Sequence, residues 1–353
     1  MKKVDRHKSD RPRVGIIGLG KMGILHAALV NINPEAELRA FYEPNKQLLN
    51  YLKNFCLKAH FFSDLDQMLE QTTLDTVFIC TPNATHLPLA LKFREKNLNI
   101  FVEMPLAESY NSAKKMIEMA TRNSFVHAVG YHFSHKVVFQ EAKRLIDNRV
   151  LKKILRFRAS LYVSILSGKK KGWIFDRSQS GGGVVINTAS HLLYFLYWLF
   201  GPVKSLLAKT SSKFMEVEDS ASLILEFSSG IIGLVDVSWS RPGFPLPVST
   251  IFIEGTQGTM EITNDSVRLY LYKETPEFKK KWTTIHRADL PATSKFYLGE
   301  EGFYEENSSF IQCCKGKQLP KVSWKEGLEV LRIVEAAYLS SQTKSLVKLD
   351  EVK

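Results

Sequence analysis

Apolar and polar positions change their rhythm once along this 353-residue chain. Up to residue 130, short apolar runs at 14–17, 38–42, 59–62, 76–80, 99–102 and 125–130 alternate with longer stretches patterned for helices. That alternation predicts a doubly wound parallel sheet, in which each strand returns through a helix. Ser63-Asp64-Leu65-Asp66 resembles a capping box opening a helix to residue 71. Thr81-Pro82-Asn83 leads into a helix over 85–95, and Ser109 caps another reaching residue 122. From residue 131 the pattern differs. A helix over 137–148 precedes strand-like runs at 154–163, 203–210, 221–227, 231–239, 249–254, 259–262 and 267–272. Ser228-Ser229-Gly230 reads as a hairpin turn between two of them. A late amphipathic helix over 324–341 closes the chain. The expected architecture is α/β: an N-terminal doubly wound domain over 1–130 and a C-terminal α+β domain over 131–353. The second holds a large, mostly antiparallel sheet with helices on one face. Its other face is apolar enough to bury against another copy, so a homo-oligomer, dimer or tetramer, is expected through that sheet.

The first apolar run enters Gly18-Leu19-Gly20-Lys21-Met22-Gly23, the G-x-G-x-x-G spacing of a dinucleotide-binding turn. Each glycine has a physical reason. Gly18 permits the tight turn, Gly20 lets backbone approach a pyrophosphate, and Gly23 lets the next helix pack against the strand. The helix then aims its N-terminal amides and positive dipole end at the anion. Glu43 follows the second run and is suited to accept hydrogen bonds from ribose hydroxyls while repelling a 2′-phosphate. NAD is therefore expected in preference to NADP. Ligands in such sheets lie beyond the carboxyl ends of the strands. Glu43, Thr81 to Asn83, Glu103 to Pro105, and Tyr131 and His132 all fall at those ends.

Composition narrows the picture. Hydrophobic residues at 44% and charged residues at 24% are ordinary for a globular chain. The apolar run 192–200 is too short for a bilayer, which needs ~20 residues, so no membrane segment is expected. The net charge of +12 can steer an anionic ligand. Lys and Arg are spread without a nucleic-acid motif, and no specific nucleic acid is expected. Lys169-Lys170-Lys171 reads as a solvated run or as an anion-attracting rim. Cys56, Cys80, Cys313 and Cys314 form no C-x-x-C pair, which fits a reducing cytoplasm. His132 and His135 have no carboxylate or cysteine at useful spacing, so no metal is expected.

The chain resembles the glucose–fructose oxidoreductase/inositol dehydrogenase (Gfo/Idh/MocA) family nearly end to end. The resemblance rests on the Gly18–Gly23 turn, Thr81-Pro82-Asn83 with His86 behind it, and Glu103-x-Pro105-Leu106-Ala107. It continues through Trp173, Gly181-Gly182-Gly183, His191 and Gly255-Thr256-Gln257-Gly258. It implies an NAD(P)-dependent oxidoreductase acting on a secondary alcohol of a sugar, inositol or nucleotide sugar. It implies cofactor contacts at Thr81, Pro82, Asn83, His86, Glu103 and Met104. Two departures stand out. The family's Glu-Lys-Pro is Glu103-Met104-Pro105 here, which removes the lysine that bonds the reacting hydroxyl. An aspartate often found four residues before the histidine is Asn187.

Hydride transfer at an alcohol carbon needs a proton acceptor at the oxygen. Asn187 and His191, four apart on a predicted helix, share a face. His191 is the candidate acid/base, while Asn187 can orient a hydroxyl but cannot titrate. Tyr131, His132, Trp173 and Tyr194 are candidates for the substrate wall, and Met104 for an apolar wall beside the nicotinamide. Such a wall suits a less polar or activated group, an imine or keto-sugar. A sensor without turnover and an NAD-assisted lyase or glycosidase are the other readings that the missing lysine leaves open.

Overall fold

A computed structural model of the chain describes residues 10–54, 59–120, 125–165, 171–291 and 301–352. Cys56, Lys169 and Lys170 lie outside the described residues. The first half runs β1 (Arg13–Ile17), α1 (Lys21–Asn31), β2 (Glu37–Tyr42), α2 (Lys46–Lys53), β3 (His60–Phe62), α3 (Leu65–Gln71), β4 (Thr76–Ile79), α4 (His86–Glu95), β5 (Asn99–Val102), α5 (Tyr110–Ala120) and β6 (His127–Val129). These strands form one parallel sheet in the order β3-β2-β1-β4-β5-β6. Every residue of β4 and β5 is buried, as a sheet covered on both faces requires. The order reverses between β1 and β4, which opens a crevice beyond their carboxyl ends.

The rest runs α6 (Val137–Asp147), β7 (Ile154–Tyr162), α7 (Arg177–Ser180), α8 (Ser190–Phe200), β8 (Val203–Ser211), β9 (Ser220–Phe227), β10 (Ile232–Ser238), β11 (Val248–Gly255), β12 (Gly258–Thr263), β13 (Ser266–Leu271), β14 (Trp282–His286), α9 (Glu301–Cys314), α10 (Trp324–Thr343) and β15 (Val347–Lys348). The second sheet has nine strands in the order β14-β13-β12-β11-β7-β10-β9-β8-β15. Its pairs are antiparallel except β7 with β10. In β9, Ala221, Leu223, Leu225 and Phe227 face the core while Ser222 and Ile224 face out, the period of two that a one-sided sheet shows.

Local pattern and structure part at a few elements. β14 and β15 are short and carry too little periodicity to be seen in the chain, and α2, although amphipathic and capped by Asn45, is only eight residues long. Asp64, not Ser63, caps α3, accepting from the Gln67 amide at 2.8 Å. Chain order and spatial order also diverge. α9 lies beyond residue 131 in sequence, yet its Phe310 and Ile311 join Phe78 and Phe101 in a core of the first sheet. α10 packs on α5 and β8 together, and its Trp324 indole donates to the Ala128 carbonyl at 3.0 Å. Periodicity shows that a helix has an apolar face but not which sheet takes it. Among the described residues, Arg177–Phe200 is long and apolar enough to cross a membrane, a longer stretch than the 192–200 run. Most of its apolar window is buried inside the molecule, as a core helix would be.

Candidate functional site

β1 ends in Gly18, whose φ of +89° lies where side chains are strained. Its amide donates to the Tyr42 carbonyl at 2.8 Å, which ties the turn to β2. A Cβ on Gly23 would lie 1.8 Å from the Gly18 carbonyl oxygen, so only glycine lets α1 come this close. At Gly20 a Cβ would meet nothing within 4 Å, and that side of the turn is open. Gly20 caps α1 without any side-chain hydrogen bond, and the first turn holds no acidic residue. The orphan amides of this helix start are therefore available to an anion. Lys21 is exposed and Met22 half-buried. Glu43 accepts from the Leu19 amide at 2.9 Å through one oxygen and from the Asn45 amide at 2.9 Å through the other. A carboxylate thus stands against the glycine turn. These residues fit a dinucleotide: an open backbone approach, a free helix start, and an acceptor for ribose hydroxyls.

The next two strand ends are joined to each other. His86 is fully buried, with Nε2 2.9 Å from the Thr81 carbonyl and Nδ1 3.1 Å from the Pro105 carbonyl. It staples the Thr81–Asn83 loop to the loop carrying the cis Met104–Pro105 bond and does not reach the crevice surface. Asn83 is 1% exposed and donates to the Ser180 carbonyl at 2.7 Å, fastening the first sheet to the second half. Thr81 accepts from the Thr85 hydroxyl at 2.6 Å, and Pro82 opens the turn Asn83–Thr85. Glu103 lies behind the strand end. One oxygen pairs with His26 Nε2 at 2.5 Å and the other accepts from the Met104 amide at 2.9 Å. His26 Nδ1 in turn meets Asn307 Oδ1 at 2.8 Å. Met104 is half-buried against the core, so a thioether replaces an amine at this edge of the site.

The second half contributes a glycine run, a π-helical turn at Val185–Ala189, and then α8. The turn is the main local departure from a regular helix through Asn187 and His191. Its wider backbone draws the Asn187 amide inward, where Nδ2 donates to the Gly182 and Gly183 carbonyls at 3.2 and 3.0 Å. Asn187 thus holds its own turn. His191 is half-buried, stacked on Phe133 at 5.3 Å and edge-on to His132 at 5.0 Å and Tyr131 at 5.9 Å. Burial pushes its pKa down to about 4, against the opposing pull of the Glu103 carboxylate. The imidazole is therefore neutral at neutral pH, and its Nδ1 has no hydrogen-bond partner among the described residues.

The four residues expected on the substrate wall separate. Tyr131 and Tyr194 are 0% and 1% exposed, stacked at 4.9 Å and 13°, and form core rather than wall. Every residue from Leu192 to Leu196 is buried, so the α8 face three residues past His191 turns inward. His132 is 6% exposed and stacked on Phe303 at 4.1 Å, and burial holds its pKa well below the usual value. Trp173 is half-exposed in the turn Trp173–Phe175, and the rings around His191 do not include it. Sequence reasoning missed His26, Glu306 and Asn307. His26 lies three residues past Gly23, a spacing that marks it only as inward-facing. Glu306 and Asn307 follow no motif.

A doubly wound parallel sheet with this glycine turn and a carboxylate against it fits the NAD-binding class of oxidoreductase. Comparison with known proteins agrees. Residues 12–131 match the oxidoreductase family model with an NAD-binding Rossmann fold, and residues 139–261 match the GFO/IDH/MocA C-terminal domain. The chain belongs to the Gfo/Idh/MocA family. It is 24% identical over 352 residues to myo-inositol 2-dehydrogenase of Thermotoga maritima, covering 96% of this chain and 99% of that one. It is 25% identical over 359 residues to scyllo-inositol 2-dehydrogenase (NAD(+)) of Bacillus subtilis, covering 96% of each. A solved structure of levoglucosan dehydrogenase with NADH and levoglucosan matches with a TM-score of 0.87 at 22% identity, over 96% and 99% of the two chains.

Proposed function

We propose that this protein is an NAD-dependent dehydrogenase that moves a hydride between nicotinamide and a secondary alcohol or ketone of a sugar, cyclitol or nucleotide sugar. The observation that carries the reading is His191: a neutral, half-buried imidazole near enough to feel the Glu103 carboxylate after β5, in a chain whose first half has a complete dinucleotide turn. The open backbone at Gly20, the unpaired amides at the start of α1 and Glu43 would hold the coenzyme, which supplies or accepts the hydride when bound. Glu43 favours NAD, because a 2′-phosphate would meet a carboxylate already fixed by the Leu19 amide. His191 takes the hydroxyl proton at its ring nitrogen during oxidation and returns it during reduction. Asn187 keeps the turn that presents His191. His132, edge-on to His191, is the expected wall residue that remains beside it. The inositol dehydrogenases among the relatives, and the excess of basic charge, support a polyol or anionic sugar substrate.

A panel of sugars, inositols and nucleotide sugars followed by NADH absorbance tests the reading. Turnover on one class, lost at least ~100-fold in His191→Ala, is expected. Turnover untouched by His191→Ala removes the assignment.

Met104 supports a second reading. Without an amine to bond the reacting hydroxyl, the site suits a group that is already activated, an imine or ketone. It also suits an NAD-assisted elimination in which the coenzyme is recycled, or coenzyme sensing without turnover. One relative, 24% identical over 253 residues covering 70% of this chain and 66% of that one, is named 2,7-anhydro-N-acetylneuraminate hydratase of Escherichia coli. Met104→Lys discriminates. A gain on plain polyols points to the lost amine as the limit on a dehydrogenase. Loss of an activity that the wild type shows on keto or anhydro sugars favours the second reading.

A further inference from the structure

Glu218 lies in the loop before β9, 4% exposed, and plays no part in the chemistry above. Its Oε1 accepts from the Gly183 amide at 2.8 Å, the Val185 amide at 3.1 Å and the Tyr338 hydroxyl at 2.8 Å. Its own carbonyl accepts from the Val184 amide at 2.8 Å. One residue therefore captures three consecutive amides, those that lead into the π-turn. A buried carboxylate is tolerated where its lone pairs are met. Here the partners are the backbone of the segment that carries Asn187 and His191, and a tyrosine on α10, the last long helix.

Packing makes the junction rigid. A Cβ on Gly182 would fall 2.1 Å from the Tyr338 hydroxyl, and one on Gly183 would fall 2.0 Å from the Glu218 carbonyl oxygen. One on Gly181 would fall 1.9 Å from the carbonyl of Glu108, beyond the cis-proline loop. The glycine run is thus the joint where three parts of the chain touch. Its other side is held from the site: Asn187 Nδ2 closes on the carbonyls of Gly182 and Gly183. Gly183 is therefore gripped by Glu218 at its amide and by Asn187 at its carbonyl.

We infer that Glu218, locked by Tyr338, is a positioning residue that sets the π-turn and, through it, the direction of the His191 imidazole. The inference rests on the reading of His191 as acid/base. Misplacing a reacting group by about 1 Å costs up to ~100-fold in rate.

Three variants test it: Tyr338→Phe, Glu218→Gln and Glu218→Ala. Each is assayed for kcat, for NADH binding by fluorescence, for thermal melting, and for the His191 ring resonances by NMR. Tyr338→Phe removes one hydroxyl and is the variant least able to unfold the chain. A drop in kcat of ~10-fold, with NADH affinity kept and the His191 resonances shifted, is expected. Glu218→Gln keeps an acceptor oxygen and should lose less than Glu218→Ala. Unshifted His191 resonances in both Tyr338→Phe and Glu218→Gln overturn the inference, even if His191→Ala is inactive. So does a kcat loss matched by an equal loss of NADH affinity. If the wild type turns over nothing, the proposed function fails, and a shifted His191 resonance in Tyr338→Phe still upholds the positioning link.

Discussion

At the scale of single residues, burial decides the chemistry more than residue type. His191 reads from the chain as an ordinary imidazole that titrates near neutrality. Packed between Phe133 and His132, it is held neutral down to about pH 4. The rate of alcohol oxidation at low substrate should therefore show no acid limb near pH 6.5. It should fall about tenfold per unit only below pH 4. A limb near 6.5 in a pH–rate profile would contradict the buried setting. Glu306 is the opposite case. It is 3% exposed, and burial and the nearby Glu103 raise its pKa well above the usual value. The folded state then binds more protons than the unfolded one, so stability falls as pH rises from the ordinary carboxylate range upward. Glu306→Gln should remove that dependence, stabilising the protein more at pH 8 than at pH 4. Denaturant melts at the two pH values check it.

At the scale of elements, the glycine turn was legible because its demands are local. The strand, the spacing and the following helix all sit within residues 13–31, and Gly23 must be glycine for α1 to touch Gly18. Gly23→Ala should cost roughly 3 kcal/mol or more and abolish NADH binding, since the clash is with backbone. Thermal melting and coenzyme fluorescence measure both. The π-turn was not legible. Val185–Ala189 is helix-like in pattern, and the glycines before it are held by Glu218 and Asn187. Those partners lie 35 and 4 residues from Gly183, and only the nearer one is visible in local spacing. The same reasoning covers Tyr194, whose position three past His191 suggested a shared face. The helix packs so tightly on that side that its ring stacks with Tyr131 inside the core.

At the scale of the whole molecule, the outer face of the nine-stranded sheet carries a row of exposed apolar side chains. Leu207, Ile224 and Leu234 stand side by side across β8, β9 and β10, each 38–46% exposed. A row of this kind on a one-sided sheet is best covered by a second copy meeting it face to face. The proposed homo-oligomer should run in light scattering at a multiple of the 40.2 kDa chain mass. Ile224→Lys, in the middle of the row, should shift it to monomer without loss of folding. A wild-type monomer at micromolar concentration would refute this use of the sheet.

The amino-acid sequence by itself determined the two-sheet plan and the dinucleotide turn, because periodicity, glycine spacing and strand-end position are local properties of the chain. Tertiary structure alone decided the rest. It placed α9 against the first sheet, buried Tyr131 and Tyr194, turned His86 and Asn83 into staples, and surrounded His26 and Glu306 with groups more than 70 residues away in sequence. The physical reason is that burial and hydrogen-bond partnership are set by neighbours in space, and no local pattern records which distant segments those neighbours come from.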